Sequence, residues 1–425
     1  MSKLLIQNAA ILDPANGRSI QGDLLIEHGK IAAVGPGLSA DGCEILDAAG
    51  LTAAPGLFDM HVHLRDPGFT QKEDVYTGCA AAAAGGVTSL LCMPNTNPAC
   101  DSGATVRYLL DKAKDAPARV YVAGCITKGL QSRELCDLEE LKAAGAVALS
   151  DDGRPVENTA LLAKAMKQAP ELGLHIVAHC EDLFLAKGGI LNEGAVSRQL
   201  GVTGIPAAAE DAGTAREIAL AAAYGVPIHI CHVSTATSVA LIRDAKRRGV
   251  RVTAETAPHY LLLTERELLK RDADYRMNPP LRTEQDRLAL IEGLRDGTLD
   301  AIATDHAPHT PEEKADFVKA PNGSIGMETS LAACITALVE PGLLPLSQLI
   351  EKMSTAPARI LNLPAGTLSV GTDADLVLFD PGEKWTVDPE KLHGKSRNTP
   401  FKGRTLTGRV KATLCRGKFV YRDHQ

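Results

Sequence analysis

The feature that most constrains this chain is an alternation in its middle. Short apolar or β-branched runs recur at Ala53–Phe58, Val87–Cys92, Val120–Ile126, Ala146–Leu149, His175–Ala178, Pro227–Ile230, Val250–Ala254 and Ala301–Ala303. Helical patterns lie between them, among them Lys72–Ala84, Glu157–Ala169, Ala207–Ala223, Thr235–Arg248 and Thr283–Gly293. Strand and helix in strict alternation predict a parallel sheet, and eight such units are the number that closes a TIM-like (β/α)8 barrel. Both flanks read differently. Leu4–Gln7, Asp23–Glu27 and Lys30–Val34 at one end, and Ala374–Phe379, Val410–Cys415 and Lys418–Tyr421 at the other, are short strands broken by turn residues. The expectation is an α/β protein with a barrel over 55–363 and a small β-sandwich domain assembled from 1–54 and 364–425.

Composition narrows the function classes. Of 425 residues, 45% are hydrophobic and 23% charged, enough for a large core. The net charge of -7, with no Lys/Arg block, argues against a nucleic-acid partner. Apolar runs such as Ala80–Ala84 and Ala219–Ala223 fall far short of the ~20 residues a membrane span needs. Nothing from Met1 to Asn8 resembles an export signal, and the ten cysteines lack paired spacing, so reduced thiols and a cytoplasmic location are expected.

Polar side chains gather where the runs end. Asp59, His61, His63 and Arg65 follow the first and Asn95 the second; Asp151 and Asp152 follow the fourth, His179 and Glu181 the fifth. His232 ends the sixth, Glu255 and His259 follow the seventh, and Asp305 and His309 follow the eighth. That rim is where barrels place their chemistry. His61 and His63, two apart on an extended strand, share a face and can grip one ion. Closure makes the eighth strand a neighbour of the first, which puts Asp305 beside them. His179 and His232 end adjacent strands and can hold a second ion, with an aspartate of Ser150-Asp151-Asp152-Gly153 bridging the two. Imidazoles and carboxylates without cysteine suit Zn²⁺ with an open position for water. Such a centre lowers the pKa of water to about 7 and polarises a carbonyl, with Asp305 placed to carry the proton.

Two stretches, Asp59–Pro67 (DMHVHLRDP) and Ala303–Lys314 (ATDHAPHTPEEK), resemble signatures of the amidohydrolase superfamily, and within it of the longer bacterial dihydroorotases. Met93–Thr96, Ser150–Gly153, Cys231–Ser234 and Met277–Arg282 extend the likeness over nearly the whole chain. The resemblance implies reversible interconversion of N-carbamoyl-L-aspartate and L-dihydroorotate, in pyrimidine synthesis. It implies one zinc on His61, His63 and Asp305, another on His179 and His232, and Asp305 as acid/base. The residues alone leave Asp151 and Asp152 open as the bridge; the resemblance favours Asp152. It further implies that Arg65, Asn95 and His309 take the substrate carboxylate, that Asn278 bonds the ring amide, and that the backbone at Asn322-Gly323 closes over the ring. A homodimer is the family's habit, and association with an aspartate transcarbamoylase occurs in it. Hydantoinases and allantoinases are the nearest alternative, but generally carry a carboxylated lysine bridge and no arginine matching Arg65. Here the nearest lysine, Lys142, precedes the fourth run. An inactive scaffold that docks a transcarbamoylase is the other alternative, and the full set of ligands argues against it. The charged stretch between His309 and Gly326 is either a moving lid or a solvated loop.

Overall fold

The computed structural model describes residues 3–423. Residues 1, 2, 424 and 425, which the sequence assigns to the terminal domain, lie outside the described residues. Eight parallel strands follow one another in chain order: Leu57–Val62, Val87–Cys92, Arg119–Gly124, Ala148–Leu149, His175–Ala178, Ile228–Ile230, Val252–Thr256 and Ala301–Ile302. Between the last and the first, the seam is joined just beyond the strand ends. Val62 bridges His306 in parallel, and His63 N donates to His306 O at 2.8 Å. That seam carries Asp305 to the side of His61 and His63, as closure requires.

The first predicted run divides in two. Thr52–Pro55 pairs antiparallel with the strand that begins at Leu376 and belongs to the terminal sheet, while only Leu57–Val62 enters the barrel. Gly56 is the junction. A Cβ there would lie 2.1 Å from Thr88 Oγ1, so only glycine lets the chain pass this close to the second strand. Asp59 and His61 therefore lie within the first strand, not beyond its end. Register slips between Asp59 and Val62, and such bulges re-aim side chains beside active sites. Phe58 and Met60 fill the barrel floor with Leu91, Ala123, Val177 and Ala301, while His61 and His63 rise above it.

The helices form where the pattern predicts, within three residues at each end. Asp74, Asn158, Thr235 and Thr283 accept backbone N–H groups at the starts of Val75–Ala84, Thr159–Glu171, Ala236–Arg247 and Glu284–Arg295. The terminal strands form a separate eight-stranded sheet in which Lys3–Asp13 is central and Thr52–Pro55 joins it to Leu376–Thr386. Leu4, Ile6, Ile11, Leu24, Leu376 and Leu378 pack together as its core. No helix among the described residues is long and apolar enough to cross a membrane.

Candidate metal centre

Three of the residues that converge at the mouth of the barrel sit on backbone that side chains disfavour. Arg65, His232 and Asp305 have φ of 61°, 36° and 48°, the left-handed region that costs non-glycine residues of order 1–3 kcal/mol and clusters at functional sites. Each follows a strand directly or nearly so, and the kink turns the side chain inward over the floor.

There the predicted ligands meet. Asp152 Oδ1 lies 3.2 Å from His61 Nε2, 3.5 Å from His179 Nδ1 and 3.6 Å from His232 Nε2. Its Oδ2 lies 3.4 Å from His63 Nε2. Asp305 Oδ1 is 3.1 Å from His63 Nε2 and 3.7 Å from His61 Nε2. Two overlapping groups result, His61 with His63 and Asp305, and His61 with Asp152 and His232; in each, the candidate ligand atoms lie within 4.8 Å of one another. Asp152 touches all four histidines, so it is the aspartate placed between the two pairs. Asp151 turns away: it accepts N–H groups from Ile126 and Thr127 at 2.7 and 3.1 Å and a hydroxyl from Thr127. Lys142 is also elsewhere, its amine donating to Gly173 O at 3.2 Å.

The donor set fits a cation. His61 Nε2 and Asp152 Oδ1 are buried without a hydrogen-bond partner, and His179 Nδ1 and His232 Nε2 face each other at 2.9 Å. Lone pairs this close repel one another unless a proton or a metal ion lies between them. Electrostatics point the same way. Burial alone would raise the Asp152 carboxyl, but the His61 charge and the close ring nitrogens of His179, His232 and His61 hold it well below the usual carboxylate range. Asp305 is likewise lowered, against burial, by His63 and the His61 charge. Both carboxylates are ionised at neutral pH.

Behind the ligands stands a set of partners whose roles the sequence did not reveal. His61 Nδ1 is 3.2 Å from Glu255 Oε1, and Glu255 Oε2 is 3.3 Å from His229 Nε2. His63 Nδ1 meets Asn95 Oδ1 at 2.8 Å, and His179 Nε2 meets Glu181 Oε2 at 3.1 Å. His61, His63 and His179 therefore each turn one nitrogen to the centre and the other to a fixed acceptor, the usual way of locking ring orientation and tautomer. The signal available in sequence was position alone, since Glu255 and Glu181 sit at strand ends like the ligands themselves. Asp59 serves the scaffold: it accepts Thr304 N and Oγ1 at 3.0 and 2.5 Å, and so fixes the turn before Asp305.

A cavity of about 260 Å³ opens above the centre, lined by His63, Asp152, His179, His232 and Asp305 on one side. All the predicted substrate residues line it too: Arg65, Asn95, Asn278, His309, Asn322 and Gly323. Arg65 Nε donates to Pro308 O at 3.2 Å, which aims the guanidinium along the wall, 3.4 Å from His309 Nε2. Asn278 Nδ2 donates to both oxygens of Glu181 at 3.1 Å, and its Oδ1 is left buried without a partner. The loop after His309 is pinned from beneath. The buried Lys314 amine donates to Arg276 O and Pro321 O at 3.2 and 2.9 Å, and Arg276 Nη1 donates to Phe317 O and Val318 O at 2.8 Å.

The amidohydrolase family profile matches residues 52–420. The chain belongs to the amidohydrolase family. Among relatives of this amidohydrolase, a protein named dihydroorotase from Pelotomaculum thermopropionicum is 49% identical over 422 residues, 99% of each chain. Another of that name, from Syntrophus aciditrophicus, is 47% identical over 425 residues, covering 99% of this chain and 100% of the relative. Solved structures with the same fold include an L-hydantoinase (dihydropyrimidinase) from Arthrobacter aurescens, with a TM-score of 0.90 and 26% identity over 100% of this chain and 97% of that one. A dihydropyrimidinase from Brevibacillus agri NCHU1002 superposes with a TM-score of 0.88 and 30% identity, over 100% and 96%.

Proposed function

We propose that this amidohydrolase is a dihydroorotase, opening L-dihydroorotate to N-carbamoyl-L-aspartate and closing it again in pyrimidine synthesis. The observation that carries the reading is the pairing, across one small cavity, of a centre built for cations with a wall built for an anion. His61, His63 and Asp305 would hold one zinc ion and His179 and His232 a second, with Asp152 between them. When bound, such ions polarise a carbonyl and bring the pKa of water to about 7.

The chain's own residues supply the rest. Arg65, with Asn95 and His309 beside it, offers a planar fork and a neutral amide donor to the substrate carboxylate, and His309 Nε2 joins them by exchanging its 2.9 Å contact with Asn322 O. Asn95 Oδ1 is occupied by His63, which leaves its Nδ2 donors for the substrate. Asn278 Oδ1, buried and unpartnered, is free to accept a ring N–H, while backbone at Asn322 and Gly323 closes the far side. Asp305, ionised and against His63, accepts the proton of the attacking water and returns it to the departing ring nitrogen. The carboxylate keeps its place through both steps, so the same geometry serves ring closure.

Hydantoin-type cyclic amides are the second reading, favoured by the similarity to the solved hydantoinases. Against it stand Arg65 in the cavity and Lys142 far from the bridge. Metal content and ring opening of dihydroorotate, hydantoin and allantoin in one preparation decide between them. Zinc together with turnover of dihydroorotate supports the proposal; turnover of only the other two substrates overturns it.

A further inference from the structure

Between Leu376–Thr386 and Thr405–Cys415 the chain leaves the terminal sheet and runs along the barrel rim. It is fastened there at successive residues. Glu328 accepts His393 N and Gly394 N at 2.8 and 3.3 Å, Glu73 accepts Lys395 N at 3.3 Å, and Ser396 Oγ donates to Lys72 O at 2.7 Å. This strap delivers Asn398, 3% exposed, to the back of the cavity wall.

The Asn398 side chain joins two loops. Its Nδ2 donates to Ala307 O at 3.2 Å and to Gly323 O at 3.1 Å, and its Oδ1 accepts His309 N at 3.2 Å. Its own carbonyl accepts Ile325 N at 3.1 Å. One amide thus satisfies three backbone groups on the segments that present His309 and Gly323 to the cavity. Among short side chains only asparagine offers two donors and an acceptor. The wall it backs has no slack, because a Cβ on Gly323 would come within 2.8 Å of both Ala307 Cβ and Ala307 O. Asn398 does not itself line the cavity.

We propose that Asn398, contributed by the terminal segment, is a positioning residue that, from behind the direct 2.9 Å contact of His309 Nε2 with Asn322 O, sets the spacing between His309 and the Asn322-Gly323 backbone, and through them the fit of the substrate. This rests on the reading of those residues as substrate-facing. Asn398→Asp is nearly isosteric and keeps an acceptor for His309 N, but sets a carboxylate oxygen against two carbonyls. Asn398→Ala removes all three bonds.

The expected result for both variants is a KM for dihydroorotate raised on the order of tenfold, with kcat much less affected and metal stoichiometry unchanged. In the alanine variant, hydrogen exchange in peptides spanning 305–326 accelerates as well, a readout independent of turnover. The unaltered enzyme, assayed alongside, tests the functional reading separately: if it fails to open dihydroorotate, that reading falls, whereas the exchange data still judge the clamp. The clamp is overturned if a folded variant keeps its KM and exchange pattern, if metal is lost in proportion to activity, or if neither variant folds.

Discussion

Replacing Glu255 by glutamine isolates the contribution of a carboxylate that never reaches the cavity. Glu255 is buried, 3.2 Å from His61 Nδ1 and 3.3 Å from His229 Nε2. Although burial would raise it, the facing imidazoles of His229 and His61 bring its pKa down to about 2, so it stands ionised behind the imidazole. Glutamine preserves shape and can still accept from His61 Nδ1, while it loses the charge and turns an NH2 donor toward His229 Nε2. A hydrogen bond to a charged group contributes ~1.5–3 kcal/mol and one between neutral groups ~0.5–1.5 kcal/mol. The difference, about 1–1.5 kcal/mol, amounts to roughly tenfold in metal affinity, within the ~10–100-fold seen when such outer partners are altered. Chelator competition followed by metal analysis measures it directly. The Glu255→Gln enzyme should give up its metal at roughly tenfold lower chelator and regain most of its turnover at saturating metal. An unchanged metal affinity, or a raised KM at saturating metal, would refute the assignment of Glu255 as the partner that orients His61.

Asp305→Ala should lower turnover by roughly 100-fold to 10⁴-fold while thermal unfolding stays cooperative and close to the parent's; an active variant would remove the acid/base role. Arg65→Met should lower kcat/KM for dihydroorotate through KM, by about 1.5–3 kcal/mol for a charge-assisted contact, with zinc retained; lost zinc and an unchanged KM would show that the residue serves the metal instead. The Lys314 amine is pushed down from 10.5 to about 7, chiefly by burial. Between about pH 7 and 10 the unfolded chain therefore binds a proton there that the folded chain has released, and stability rises with pH across that window. Denaturant titrations should show the parent gaining on Lys314→Met over that range, and a flat difference would contradict the assignment.

The sequence made the barrel legible because its signal is periodic: runs such as Val87–Cys92 and His175–Ala178 formed strands at the predicted positions. The ligands were legible for the same reason, since strand ends in a closed barrel converge whatever the loops do. Local propensity could not show where one sheet stops and the next begins. Ala53–Phe58 reads as a single run, and the break at Gly56 arises from contact with Thr88, which is distant in sequence. Nor could it separate carboxylates that face the centre from those that stand behind it. Asp151 and Asp152 are neighbours of one type, yet one faces four imidazoles and the other caps the backbone at Ile126 and Thr127. Asn398 left no trace in the pattern at all, because its bonds span more than 70 residues.

Arg65, His232 and Asp305 share a backbone conformation that glycine would adopt with less cost. Glycine at any of the three would release that strain, but it would also remove a ligand or the guanidinium together with the buried contacts each side chain makes. Thermostabilisation of this barrel therefore has to be screened on turnover, with the loops at its mouth held fixed.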